Sequence, residues 1–417
     1  MNSQKQEPTS GFYGLGIAPS LLEILARMKF KIPTPIQEQA IPIAIEGKDM
    51  VGIAQTGTGK TIAFGVPLIQ RLARVNGNGL VVLPTRELAL QVDEVFQKIG
   101  RSIGLRTAVL IGGTAMGPQM SAIQKKPHVI IATPGRLLDH MSQKHLKLDN
   151  TRIVVLDEAD RMLDMGFLPQ IQKILSALPK ERQMMLFSAT MPHDIMKIAS
   201  TYMKLPIRVE IAPAGTAAEN VTQELFLVTK EKKIGLLAKI LEQYTGPTLI
   251  FSRTKHGAKK ILWAVKDMNI AGAEIHSNRS LSQRREALEG FRSGKYRVLV
   301  ATDIASRGID VVGIELVLNF DLPTTSDDYI HRIGRTARAG RGGHAITFAM
   351  PDQQKEVRDI EHLLKKTLPI AQHPDFPQLD FSQSYVLPRK RGGARGYAGA
   401  SFGGRRGGIR HFGSKRR

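Results

Sequence analysis

Val51-Gly-Ile-Ala-Gln-Thr-Gly-Thr-Gly-Lys60-Thr61 decides how the rest of the chain is read. A short apolar run over 51–54 passes straight into two closely spaced glycines, and a helical pattern follows Lys60. That is the strand–loop–helix context of a phosphate-binding loop. Gly57 and Gly59 let backbone N–H groups turn toward phosphate oxygens, and the next helix adds the positive end of its dipole. Lys60 is placed to reach the β- and γ-phosphates, and the Thr61 hydroxyl to ligate Mg2+. The usual pattern opens on Gly where this chain has Ala54, so the loop by itself also fits a glycine-rich structural turn.

Working outward, short apolar runs recur at 80–83, 108–111, 129–132, 153–156 and 184–187, then at 249–251, 274–276, 298–301, 316–319 and 345–348. Most are apolar on both sides of the chain rather than alternating, which suits parallel strands covered on both faces. Stretches with helical spacing, such as 87–99 and 283–292, lie between them. Alternating β and α units predict an α/β architecture of mostly parallel sheets flanked by helices. The series breaks near 211–220, where Ala-Pro-Ala-Gly-Thr-Ala-Ala reads as a linker. The expected organisation is a first domain over 1–211, a linker over 212–220, a second domain over 221–370 and a tail over 371–417. The two domains share layout without an obvious sequence repeat.

Composition narrows the function. At 417 residues the chain suits two or three domains. It has no cysteine, which excludes disulfides, thiolate metal sites and thiol nucleophiles together. The longest apolar run, 261–265, falls far short of the ~20 residues a membrane-spanning helix needs. The N-terminus lacks a signal peptide's apolar stretch, so a cytoplasmic location is expected. The formal charge is +22. Segment 388–417 holds ten Lys or Arg, nine glycines and no acidic residue, which leaves +12 on the remainder. Such a Gly- and Arg-rich tail cannot bury enough surface to offset its ordering entropy, and disorder is expected. An anionic polymer is the natural partner, with nucleic acid favoured over membrane because no basic amphipathic helix stands out.

Ile153-Val-Val-Leu156-Asp157-Glu158-Ala159-Asp160 supplies the acidic counterpart of the loop. A buried run ends in adjacent carboxylates, at the strand edge where open α/β sheets bind ligands. Asp157 is placed to hold Mg2+, directly or through water, and Glu158 to orient and deprotonate an attacking water. An Asp-Glu pair alone is more often a solvated loop; downstream of a phosphate loop it reads as a catalytic pair.

The ordered set of motifs resembles the DEAD-box RNA helicases of superfamily 2, named for Asp157-Glu158-Ala159-Asp160. The resemblance runs from about Phe12 to Ala349. It takes in Phe30-Lys-Ile-Pro33-Thr34-Pro35-Ile36-Gln37, residues 54–61, Pro84-Thr85-Arg86-Glu87-Leu88, Gly112-Gly113, Thr133-Pro134-Gly135-Arg136 and Ser188-Ala189-Thr190. The second half adds Ala301-Thr302-Asp303-Ile304-Ala305-Ser306-Arg307-Gly308-Ile309-Asp310 and His331-Arg332-Ile333-Gly334-Arg335-Thr336-Ala337-Arg338. A short core with a basic tail is most like the bacterial RhlE-type subgroup.

This resemblance implies two RecA-like domains, with ATP and Mg2+ as ligands. Within a Q motif at about 10–38, Gln37 would read the adenine edge, with Phe12 and Phe30 supporting the pocket. Gln55, Thr56, Gly57, Thr58, Gly59, Lys60 and Thr61 would hold the phosphates, and Ala54 is common in the family. Gly308 and Asp310 would approach the nucleotide from the second domain, Asp310 at the ribose. Arg335 and Arg338 would be arginine fingers. Ser188 and Thr190 would couple nucleotide and RNA sites through Asp160 and His331. RNA would lie on Thr85, Arg86, Gly113, Thr133, Gly135 and Arg136, and across the cleft on Thr302, Arg307 and Gly308. Such contacts follow the backbone and read little sequence. Tyr397, Phe402 and Phe412 in the tail would stack on bases. Two departures stand out: Lys29 replaces the Gly usual before the Q-motif phenylalanine, and Leu281 replaces a Gln often found three residues before Arg284.

The expected function is an ATP-dependent RNA helicase that separates or remodels structured or duplex RNA. Ribosome-assembly or RNA-decay proteins are candidate partners, and no membrane is expected. The alternatives are an ATP-dependent RNA clamp and an RNA chaperone acting through the tail.

Overall fold

The computed structural model describes residues 11–381, apart from Thr56, 212–220, 304–310, Val312 and 338–341. Two seven-stranded sheets organise it. The first contains β1 (Met50–Ile53), β2 (Asn78–Val82), β3 (Thr107–Leu110), β4 (Val129–Ala132), β5 (Thr151–Leu156), β6 (Gln183–Ser188) and β7 (Ile207–Glu210), in the order β3-β4-β2-β5-β6-β1-β7. The second contains β8 (Val221–Leu227), β9 (Thr248–Phe251), β10 (Gly272–Ile275), β11 (Val298–Ala301), β12 (Leu316–Asn319), β13 (Gly343–Ala349) and β14 (Ile370–Ala371), in the order β10-β11-β9-β12-β13-β8-β14. Put β8 in the place of β1, β9 in that of β2 and so on, and the two orders coincide. Every pairing is parallel.

The central strands are buried from end to end, as their unbroken apolar runs require. Three strands, β7, β8 and β14, escaped the sequence reading. β8 reads Val-Thr-Gln-Glu-Leu-Phe-Leu, partly alternating, and β7 and β14 are short edge strands with exposed positions. The packed chain also continues past Ile370: Phe376 lies against Gly235, and Leu379 and Phe381 pack on the second domain's core.

Lys29 keeps the turn for which glycine is usual by adopting φ +64° after the helix Pro19–Arg27. A lysine pays conformational strain there that glycine would not. Leu281 opens the helix Leu281–Arg292 and packs against the first domain's core, so an apolar contact between domains stands where the family often has an amide.

Candidate functional site

Because all strands of a sheet run parallel, their C-terminal ends share one edge, and the loops leaving that edge converge. In the first domain these loops carry Ala54–Gly59 after β1, Thr85 and Arg86 after β2, Gly112 and Gly113 after β3, Thr133 after β4, Asp157 and Glu158 after β5, and Ala189 and Thr190 after β6. Residues scattered over more than a hundred positions of sequence thus meet along one crest.

The phosphate loop is braced from behind. Gly57 and Gly59 have φ +88° and +89°, conformations that favour glycine. Thr34 Oγ1 donates to the Thr58 carbonyl at 2.6 Å, and Gln37 Nε2 donates to the Gly59 carbonyl at 3.0 Å. The Gln37 Oε1 accepts from the Thr34 amide at 2.9 Å, closing a capping box on the helix Pro35–Glu46. A Cβ on Gly59 would collide with the Gln37 amide. Gln37 is therefore a buried brace of the loop, a role that sequence reading did not give it. Phe12 is buried in the first domain's core, whereas Phe30 remains partly exposed.

Lys60 begins the helix Lys60–Leu72 and is buried. Its Nζ donates to the Ala54 carbonyl at 3.1 Å and stands 3.9 Å from Asp157 Oδ1. Burial pushes the Asp157 carboxyl up to about 6; Lys60 opposes that shift and the neighbouring Glu158 adds to it. Glu158 sits in the left-handed region at φ +51°, and its amide donates to Asp157 Oδ1 at 2.9 Å. A non-glycine residue held in that conformation marks stored strain of the kind functional sites carry.

Asp160 is the hub of the next layer. Its Oδ2 accepts from the Ala189 amide at 3.0 Å, the Thr190 amide at 2.9 Å and Thr190 Oγ1 at 3.0 Å, and its own amide donates to Ser188 Oγ at 3.2 Å. Burial raises the Asp160 carboxyl, but Lys60, the Thr190 amide, Arg161 and His331 outweigh it and hold it below the usual carboxylate range. The expected linkage of Ser188 and Thr190 to Asp160 is thus hydrogen-bonded. Burial pushes the His331 imidazole down to about 3, with Arg161 reinforcing the shift.

Across the cleft, Arg161 donates to Asp328 Oδ1 at 2.8 Å, and Glu87 pairs with Arg284 at 3.0 Å. Arg161, Asp303, Asp328, His331, Arg332 and Arg335 line one small cleft between the domains. Sequence reading missed Arg161 and Asp328 because only the folded chain brings them together. Arg332 is buried and locked: its guanidinium reaches Asp303 at 2.6 and 2.8 Å, Asn319 at 3.1 Å and the Asp321 carbonyl at 2.6 Å. Arg335 is buried beside it, its Nε donating to the His331 carbonyl at 3.2 Å.

The residues expected at RNA differ in accessibility. Thr85 is a buried helix cap accepting from the Leu88 amide, and Thr133 is a buried cap position. The Arg86 guanidinium lies over Gly113, leaving no room for a Cβ. Arg136 donates to the Thr114 carbonyl at 3.0 Å, while Gly135 faces open space. Thr302 follows β11, its amide donating to the Ile275 carbonyl at 3.3 Å. Thr56, Arg307, Gly308, Asp310, Arg338 and the 388–417 tail lie outside the described residues. A cavity of about 840 Å³ between the helices Leu168–Ser176 and His193–Tyr202 contains none of the expected site residues.

Comparison with known proteins bears on this arrangement. Residues 34–198 match the DEAD/DEAH box helicase family and residues 232–340 the helicase conserved C-terminal domain. The chain is 41% identical over 379 residues to the ATP-dependent rRNA helicase RRP3 of Debaryomyces hansenii, covering 90% of this chain and 80% of that protein. It is 40% identical over 387 residues to the DEAD-box ATP-dependent RNA helicase CshA of Bacillus subtilis, covering 92% and 78%. The solved structure of Saccharomyces cerevisiae Dbp5 bound to RNA and ADP BeF3 superposes with a TM-score of 0.76 at 30% identity, over 86% of this chain and 96% of that one.

Proposed function

The chain belongs to the DEAD-box ATP-dependent RNA helicases, and on that footing we propose how its residues divide the work between its two RecA-like domains. ATP binds on the first domain's crest. Backbone N–H groups of 55–59 cradle the phosphates, and Lys60 supplies charge at their far end. Mg2+ fits beside them: Thr61 offers a hydroxyl and Asp157 a buried carboxylate, the oxygen donors such an ion takes alongside phosphate. When bound, that ion would supply positive charge against the phosphates. Glu158, fixed by its strained backbone, orients the attacking water and takes its proton. Arg335, with Arg338, brings positive charge from the second domain.

Gln37 has hydrogen-bonding capacity left after bracing the loop, since an amide nitrogen carries two hydrogens and its oxygen two lone pairs. It therefore serves as both brace and reader of the adenine edge, with Phe30 beside the base. RNA lies along Arg86, Gly113, Gly135 and Arg136 and continues onto Thr302, Arg307 and Gly308. Thr85 and Thr133 act by fixing those loops.

The single observation that carries this division is Asp160, which follows the Asp157-Glu158 pair and accepts from the Thr190 and Arg161 amides, while the Arg161 side chain reaches Asp328 on the other domain. The relatives' names point to RNA, ribosomal RNA among it; the reading we propose adds structured or duplex RNA as the target, ribosome-assembly or RNA-decay proteins as partners and the cytoplasm as the location. The short core and basic tail support an RhlE-type assignment. Among the described residues, no helix is long and apolar enough to cross a membrane.

Glu158→Gln tests the central assignment. It should preserve binding of ATP and RNA and slow single-turnover hydrolysis by about a hundred-fold or more, the scale of general-base catalysis. An unchanged single-turnover rate would remove Glu158 as the base.

A further inference from the structure

The helix Lys255–Asp267 is a basic amphipathic helix that the sequence reading passed over. It turns Ala258, Ile261, Leu262 and Val265 into the second domain's core. Its other side exposes Lys255, His256, Lys259, Lys260, Trp263 and Lys266, with Asp267 the one acidic residue among its exposed positions. Trp263 is the chain's only tryptophan and is 58% exposed, an unusual place for so large an apolar ring. Lys259 Nζ stands 5.0 Å from the ring centroid. Lys260 and Lys266 are three residues away on either side of Trp263, adjacent on the helix surface.

An ordinary solvated helix face mixes both charge signs and pairs them along the helix. Here, among the described residues, no carboxylate forms an ion pair with Lys255, Lys259, Lys260 or Lys266. The helix leaves the crest directly after β9, so Lys255 lies at the edge where the motif loops converge, hydrogen-bonded to Asn278 at 3.2 Å. Trp263 follows eight residues on, about 12 Å down the flank at a helix's rise per residue. Unpaired lysines beside an exposed aromatic form the combination that binds nucleic acid, charge on phosphates and a ring against a base.

We propose that this face is a further RNA contact, which carries the strand from the interdomain crest down the second domain's flank and stacks a base on Trp263. The proposal rests on the helicase reading. It adds a contact outside the nine residues expected at RNA in the two sets of motif loops.

A single tryptophan makes the test direct. Intrinsic fluorescence of the full chain, titrated with oligouridylates of increasing length, should show saturable quenching of Trp263 only once the RNA outgrows the cleft. Trp263→Ala should weaken binding of the long RNA about ten-fold, as expected for loss of one stacked base. Trp263→Phe, which keeps a ring, should recover most of it. Saturated RNA-stimulated ATP turnover should stay unchanged, because the face lies apart from the catalytic loops. Lys259→Glu with Lys260→Glu should weaken long-RNA binding and lower its salt dependence. If RNA-stimulated hydrolysis is normal but neither the fluorescence nor long-RNA affinity responds, the RNA assignment is wrong and the face serves another partner, such as an acidic protein. If the unaltered chain shows no RNA-stimulated hydrolysis at all, the helicase reading fails and this proposal goes with it.

Discussion

The two domains place a lysine and an aspartate at equivalent points of one topology and use them oppositely. Lys60 starts the helix after β1, and Asp157 follows β5; Lys233 starts the helix after β8, and Asp321 lies two residues beyond β12. In the first domain the nitrogen and carboxylate stand 3.9 Å apart, behind a loop with glycines at 57 and 59. In the second they meet at 3.0 Å, Lys233 also donates to the Phe320 carbonyl at 2.6 Å, and the connection Val228-Thr-Lys-Glu-Lys232 has no glycine. One pair stands open, where the proposed function seats phosphate and cation. The other has closed on itself and become a staple. On the proposed division of work, a shared scaffold supports catalysis in one copy and, in the other, a platform that presents arginines.

The largest effect should come from an arginine so presented. Arg335→Ala should slow RNA-stimulated ATP turnover by about a thousand-fold or more, with a much smaller change in RNA affinity. Lysine in its place should rescue poorly, because a point charge cannot reproduce the planar fork of donors. Arg332 provides the contrast. It is saturated by Asp303, Asn319 and Asp321, so Arg332→Ala should lower the second domain's melting temperature as well as activity. Equal turnover losses without any stability difference would erase the distinction between finger and scaffold.

The sequence made the first domain's working residues legible because a loop, a helix start and a carboxylate pair are local signals. Parallel strands were legible as unbroken apolar runs, while β8 and the edge strands β7 and β14 were hidden by alternation and brevity. What sequence could not show was pairing at a distance. Arg161–Asp328 and Glu87–Arg284 each join residues of separate domains, and Lys233–Asp321 depends on strand order. Gln37 was legible as a motif residue, yet its hydrogen bond to Gly59 follows from where its helix packs. The basic helix carrying Trp263 was missed because its apolar stripe reads in sequence as an ordinary core helix.

The closed pair can be broken directly. Lys233→Met should destabilise the second domain by about 3 kcal/mol, the range for removing one partner of a buried ion pair, and leave nucleotide affinity of the folded protein nearly unchanged. Lys60→Met should do the reverse, weakening ATP binding severely with a smaller effect on melting. Thermal denaturation and nucleotide titration of both variants decide the matter. Comparable nucleotide losses in the two would mean that the second domain's pair reaches the ATP site after all.

The smallest effect is the most specific, because the two aspartates should respond to pH with opposite sign. Burial holds Asp157 at about 6, above its unfolded value of 3.8, so the folded chain takes up a proton that the unfolded chain has released. Between those values, rising pH removes stability, and at neutral pH the ionised carboxylate is a cost to the ligand-free fold. Asp321 is pushed up by burial, but Lys233, the Arg253 amide and Ser252 prevail and hold it below the usual range. Its contribution is present above its unfolded pKa and is lost as pH falls through the folded value. In the magnesium- and nucleotide-free chain at neutral pH, Asp157→Asn should therefore stabilise, by on the order of 1 kcal/mol once the loss of Lys60's partner offsets part of the gain. Asp321→Asn should destabilise, and its deficit should shrink as the pH drops below the carboxylate range. Melting curves of both variants from acid to neutral pH would show the two differences from the parent diverging. Parallel curves would mean that the first domain's carboxylate is as well compensated as the second's, and that the cost assigned to keeping its site open does not exist.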